Sequence, residues 1–234
     1  MSDFVILAAS FLNAAGYGND RGGLRPWPAA LAEPLQRGEL EALRWSSLFT
    51  SETSRFGRMD LLSRLGLMAV ELLGAGFEKM EPAERDAVGV CVETRSGCLA
   101  TDARFLQVPL ASTFAYTLPS TVVGEICIRH RFRGPVMCLL PPPGQSGSVE
   151  TALGWLGRGE AGTCVCVSCD LWDKKIAASV LSPYDGSTDG WQGCAVWIGR
   201  RTEASQQPAW RQDSLPRLAR SRCASGITAP NPGA

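Results

Sequence analysis

Short, almost uninterrupted apolar runs recur along this chain at 4–12, 87–93, 136–140, 163–168 and 194–198. Stretches of helical spacing separate them. Each run is short enough for a strand, and 87–93 (AVGVCVE) has the β-branched character of a buried core strand. Strands that alternate with helices build a layered α/β domain. Residues 59–73 form the clearest amphipathic helix. There Leu61/Leu62, Leu65, Met68/Ala69 and Leu72/Leu73 recur at helical spacing before Gly74 and Gly76 stop the pattern. Residues 28–49 read as helix interrupted by Pro34. Residues 118–131 read as helix with Pro119 in its first turn, and 147–156 as a further helix. The Gly/Asn-rich stretch 15–23 reads as a turn, and 136–140 as a buried strand running into the break Pro141-Pro142-Pro143-Gly144.

Charge narrows the partners. Lys+Arg and Asp+Glu are equal at 23 each, so no basic stripe marks a nucleic-acid surface. Asp3 stands where a leader would carry basic residues, and no run approaches the roughly 18 apolar residues that span a bilayer. The expectation is a soluble, cytoplasmic protein. Residues 1–205 read as one domain. Residues 206–234, rich in Pro, Ser and Arg without periodicity, read as a flexible tail.

Nine cysteines, an odd number, suit a reducing compartment where they act as small buried hydrophobes. Cys164-x-Cys166-x-x-Cys169 has the look of a metal motif, yet strand alternation sends Cys164 and Cys166 to one face and Cys169 to the other. No second pair completes a ligand set, so neither metal nor cofactor is expected. No Walker or dinucleotide fingerprint occurs, and Gly144-Gln145-Ser146-Gly147 is one residue short of an esterase elbow.

Three stretches, in order, resemble a β-ketoacyl synthase. They are VGVCVETRSGCLATDARF (88–105), the stretch 112–170 beginning STFAYTLPSTVVGEICIRHRFRGP, and SPYDGSTDGWQGCAVWIGR (182–200). In the last, Tyr184 stands for a family Phe, Asp189-Gly190-Trp191 for D-G-F, and the family's Glu is missing. The resemblance implies the N-terminal half of the thiolase-like αβαβα fold, a mixed five-stranded sheet between helices. It covers most of the chain, although no single motif decides it.

Such synthases use a Cys thiolate at a helix N-terminus and imidazoles from the other half. This chain has one histidine, His130, at the end of a helix, where a cation would suit the dipole. Aligning the small residues puts Gln145 at the nucleophile position, and counting from Gly134-Pro135 puts Pro143 there. Neither is a nucleophile, so no catalytic residue is assigned. Cys138 lies upstream within its strand. Gln145 is similar to the Gln of chain length factors, which pair with an active synthase and shape the acyl tunnel. It reads equally as an exposed loop residue. The resemblance groups Gln145, Ser146, Gly147 and Phe114 at the elbow and tunnel, and Val136, Cys138 and Leu140 at a subunit interface.

The function expected is a non-catalytic chain-length-factor-like subunit in fatty acid or polyketide elongation, with aryl polyene systems the natural setting. Its partner would be a full-length ketosynthase in a heterodimer, or a second copy in a homodimer, with acyl carrier protein a further partner. The alternatives are a stand-alone β-ketoacyl-ACP synthase or acyltransferase, and an acyl-chain or carrier-protein binding module.

Overall fold

The computed structural model of the protein describes residues 4–51, 53–141, 147–172 and 190–200. Its centre is a seven-stranded sheet built from β1 (Phe4–Asn13), β2 (Gly16–Asn19), β3 (Gly23–Arg25), β4 (Val88–Glu93), β5 (Val136–Leu139), β6 (Thr163–Leu171) and β7 (Trp191–Arg200). The order is β3-β2-β1-β7-β6-β4-β5. β4 runs parallel to β5 and β6, while β6–β7, β7–β1, β1–β2 and β2–β3 are antiparallel. The sheet is therefore mixed, as expected, but has seven strands rather than five. The stretch 15–23 is not a simple turn: it contains β2 and the start of β3. The reason is glycine. A Cβ on Gly18 would collide with the carbonyl oxygen of Gly23, so only a bare backbone lets these strands approach.

Helices cover both faces. They are α1 (Ala29–Gln36), α2 (Leu61–Leu72), α3 (Pro82–Asp86), α4 (Leu99–Gln107), α5 (Ala111–Phe114), α6 (Ser120–His130) and α7 (Gly147–Arg158). On one face α2 and α6 pack against Val90, Val92, Val165, Val167 and Cys169. On the other, Val149, Ala152, Leu153 and Leu156 of α7 pack against Cys91, Cys164 and Cys166. The three cysteines of β6 thus divide between faces as strand alternation demands. All six residues of β4 are buried, as befits a parallel strand with helices on both sides.

The local signals explain the helices. Asp60 caps α2 by accepting from the Ser63 N–H at 3.0 Å, a contact worth about 1 kcal/mol. α1 runs through Pro34 rather than breaking at it, although an interior proline forfeits an i→i−4 hydrogen bond and crowds the preceding turn. Beyond Gln36 the segment has only short 3₁₀ turns at Leu40–Ala42 and Trp45–Ser47. Trp191 Nε1 donates to Leu35 O at 3.0 Å, which ties α1 to the sheet.

β5 departs from the sequence reading. It is the sheet's edge, not a buried strand: Val136 is 53% exposed and Met137 41%. An apolar run of four looks the same in sequence whether its outer side meets a helix or nothing.

Candidate functional site

Because β4, β5 and β6 are parallel, their C-terminal ends meet at one rim, the usual location for ligand chemistry in α/β sheets. The rim is organised by two buried carboxylates. Asp170, at the end of β6, accepts from Thr94 Oγ1 (3.1 Å), Arg95 N (2.6 Å) and Ser96 N (2.9 Å) through one oxygen, Oδ1. Ser96 Oγ in turn accepts from Leu171 N (3.0 Å), so the turn after β4 is locked to the end of β6. Glu93, the last residue of β4, accepts from Ser148 N at 2.9 Å in the first turn of α7. A carboxylate beside a helix N-terminus satisfies one of its open donors and complements its dipole.

The described free thiols, at the rim and away from it, are not activated. Burial pushes Cys91, Cys98 and Cys164 up to about 12, and Cys127 to about 11. Burial also raises Cys138, and raises Cys166 and Cys169 strongly. These seven are free cysteines held as neutral packing groups.

Of the residues singled out from sequence, Gln145, Ser146 and Pro143 lie outside the described residues. So do Tyr184, Asp189 and the tail 206–234. Gly147 opens α7 close against β5: a Cβ there would lie 3.0 Å from Leu139 Cδ1. Val136, Cys138 and Leu140 lie together on β5 and just beyond it, with Leu140 63% exposed and Cys138 half-buried. Phe114, on α5, is 62% exposed, its ring 5.5 Å from that of Phe105 on α4. Leu106, Val108, Leu110 and Leu118, its neighbours in sequence, are also exposed. A Cβ on Gly97 would lie within 4 Å of both Pro119 and Leu140. Pro119, at the end of the 110–119 corner, and Leu140, just past β5, therefore both flank Gly97. Exposed apolar area of this kind marks an interaction surface.

His130 is not a helix-capping cation. Its side chain is 8% exposed, stacked on Phe132 and edge-on to Phe77, both at 5.2 Å. Burial, with Arg129 and Arg85 adding repulsion, pushes it down to about 3, so the imidazole is neutral. Among the described residues no group of three or more His, Cys, Asp or Glu could hold a metal ion, and no helix is long and apolar enough to cross a membrane.

Sequence reasoning missed the roles of Glu93 and Asp170, which it registered only as strand ends. It also missed the buried Glu125 of α6. A carboxylate closing an apolar strand at a Thr/Ser/Gly turn was the available signal for the first two.

No protein-family model matches the chain, and no curated protein does. Solved structures do. The ishigamide ketosynthase/chain length factor matches with TM-score 0.57 at 17% identity, over 88% of this chain and 64% of that one. AntDE:AntF, a type II PKS acyl-carrier protein in complex with its ketosynthase, matches with TM-score 0.57 at 12% identity, over 93% and 65%. The complex of the ketosynthase ApeO with its chain length factor ApeC from Xenorhabdus doucetiae matches with TM-score 0.55 at 12% identity, over 94% of this chain and 89% of the matched chain. This protein thus spans under two thirds of the first two chains but is close in length to the third. At such identities the likeness speaks for the fold, which is the thiolase-like half-fold of the β-ketoacyl synthases and chain length factors.

Proposed function

We propose that this chain is a non-catalytic β-ketoacyl synthase-like subunit of chain-length-factor type. It pairs with an active ketosynthase during fatty acid or polyketide elongation, with an aryl polyene system as its setting and acyl carrier protein as a further contact. The observation that carries the reading is the exposed apolar surface along the open edge of β5 and over the 110–119 corner. An unpaired apolar edge is an aggregation hazard unless a partner covers it.

Chemistry at the rim agrees. The Glu93 carboxylate engages the first turn of α7, where a condensing enzyme needs donors for a developing oxyanion and a depressed thiol. A negative charge there disfavours both.

Co-expression with a full-length ketosynthase, followed by size exclusion with light scattering, tests the reading. A one-to-one complex is expected, with Val136→Lys weakening it about tenfold or more, because the lysine would bury an unpaired charge at the interface. A wild-type protein that ignores the ketosynthase overturns the reading and shifts weight to a stand-alone binding module.

A further inference from the structure

Glu125 is 3% exposed, near the middle of α6, and it joins two segments far apart in sequence. Arg55 donates from Nε to Oε2 (3.0 Å) and from Nη2 to Oε1 (2.9 Å), and Tyr116 Oη donates to Oε1 (2.9 Å). Burial would raise the Glu125 carboxyl, but the Arg55 and Tyr116 hydrogen bonds outweigh it and hold the group below its usual range. Burial and the Glu125 contact push Tyr116 up to about 12, so it stays a neutral donor.

Tyr116 sits between Phe114 and Leu118, two of the most exposed apolar side chains. Its own ring packs against the core. Two lesser staples act on the same corner: Thr117 Oγ1 donates to Phe114 O (2.9 Å) and Thr121 Oγ1 to Ala115 O (3.0 Å). Left loose, such a corner would turn its apolar side chains inward. A corner fixed in advance avoids the ordering cost at binding.

We propose that the Arg55–Glu125–Tyr116 clamp is a positioning device that holds Phe114 and Leu118 outward for docking against an apolar face of a ketosynthase subunit. The inference rests on the function proposed above and adds to it the residues that hold the surface ready. Tyr116→Phe removes the hydroxyl and keeps the ring, so the full chain should still fold, with a melting temperature lower by only a few degrees.

Amide hydrogen exchange and the dissociation constant for the ketosynthase are the two readouts. Without the hydroxyl, amides over 110–118 should exchange about tenfold faster in the free chain, at rates well above those of the sheet, and binding should weaken about tenfold. In the complex the exchange difference should vanish, because the partner then orders the corner. Arg55→Lys, which loses the two-pronged contact, should give the same pattern. Unchanged exchange over 110–118, or faster exchange with unchanged affinity, overturns the clamp's role while the proposed function stands. Failure of the wild type to bind any ketosynthase instead overturns the function.

Discussion

Replacing His130 with phenylalanine should remove most of the protein's acid sensitivity between pH 7 and pH 5. His130 is the chain's only histidine, so no other imidazole titrates in that window. In the fold its proton affinity is pushed down to about 3 from the ordinary 6.5. A group whose folded value lies below its unfolded value holds fewer protons when folded. Its contribution is complete above 6.5 and is lost as pH falls from there toward 3. Protonation of the unfolded imidazole then costs the native state about 2 kcal/mol between pH 7 and pH 5.

One neighbour argues the other way: Glu71 Oε1 lies 3.8 Å from His130 Nε2 and would favour the charged ring. That oxygen is already bound by Arg129 Nε at 2.7 Å, and Phe77 and Phe132 flank the ring, so burial prevails. Urea unfolding followed by tryptophan fluorescence at pH 7, 6 and 5 measures the effect. The wild type should lose about 2 kcal/mol, or about 5 °C in melting temperature, and the variant should lose little. Equal losses in both proteins would refute the reasoning. A wild type that gains stability on acidification would mean that His130 is protonated and paired with Glu71.

Three further outcomes can be checked. Asp170→Ala leaves Thr94 Oγ1 and the N–H groups of Arg95 and Ser96 without their buried acceptor; unfolding should show a loss of about 3 kcal/mol. Gly66→Ala puts a methyl 2.5 Å from Val122 Cγ1 where α2 crosses α6, and calorimetry should report about 1–3 kcal/mol of destabilisation. Alkylation of the native protein at pH 8 should leave Cys91, Cys164, Cys166 and Cys169 unmodified, since burial raises all four; a fast-reacting member of this set would contradict the packing described.

The central layers were legible because their periodicity is strong. The 59–73 pattern became α2 at Leu61–Leu72, and alternation placed Cys164 and Cys166 opposite Cys169. The β2–β3 hairpin was hidden, since Gly16 and Gly18 carry no side chain to alternate and in sequence look like a turn. Exposure of β5 was hidden because nothing in VMCL records that, among the described residues, no strand lies beyond it. His130 misled because its position at the end of α6 is visible in sequence while the aromatic cage around it is not. The Arg55–Glu125–Tyr116 clamp has partners 70 and 9 positions apart, beyond any local pattern. The elbow around Gln145 drew the most attention in sequence and lies outside the described residues.

The pairing of β1 with β7 sets the order in which the molecule can be completed. Phe4 lies opposite Arg200, so the sheet's middle is closed by a strand that is synthesised after every other described strand. Among the described strands, until β7 leaves the ribosome β1 has the short β2 at its side and β6 has β4. The two halves of the sheet must wait apart, each with an open apolar edge. Such distant pairing makes folding slow and puts the nascent chain at risk of aggregation, since the loop must close before the contacts repay it. Nascent chains stalled short of residue 191 should therefore be the species that chaperones retain longest.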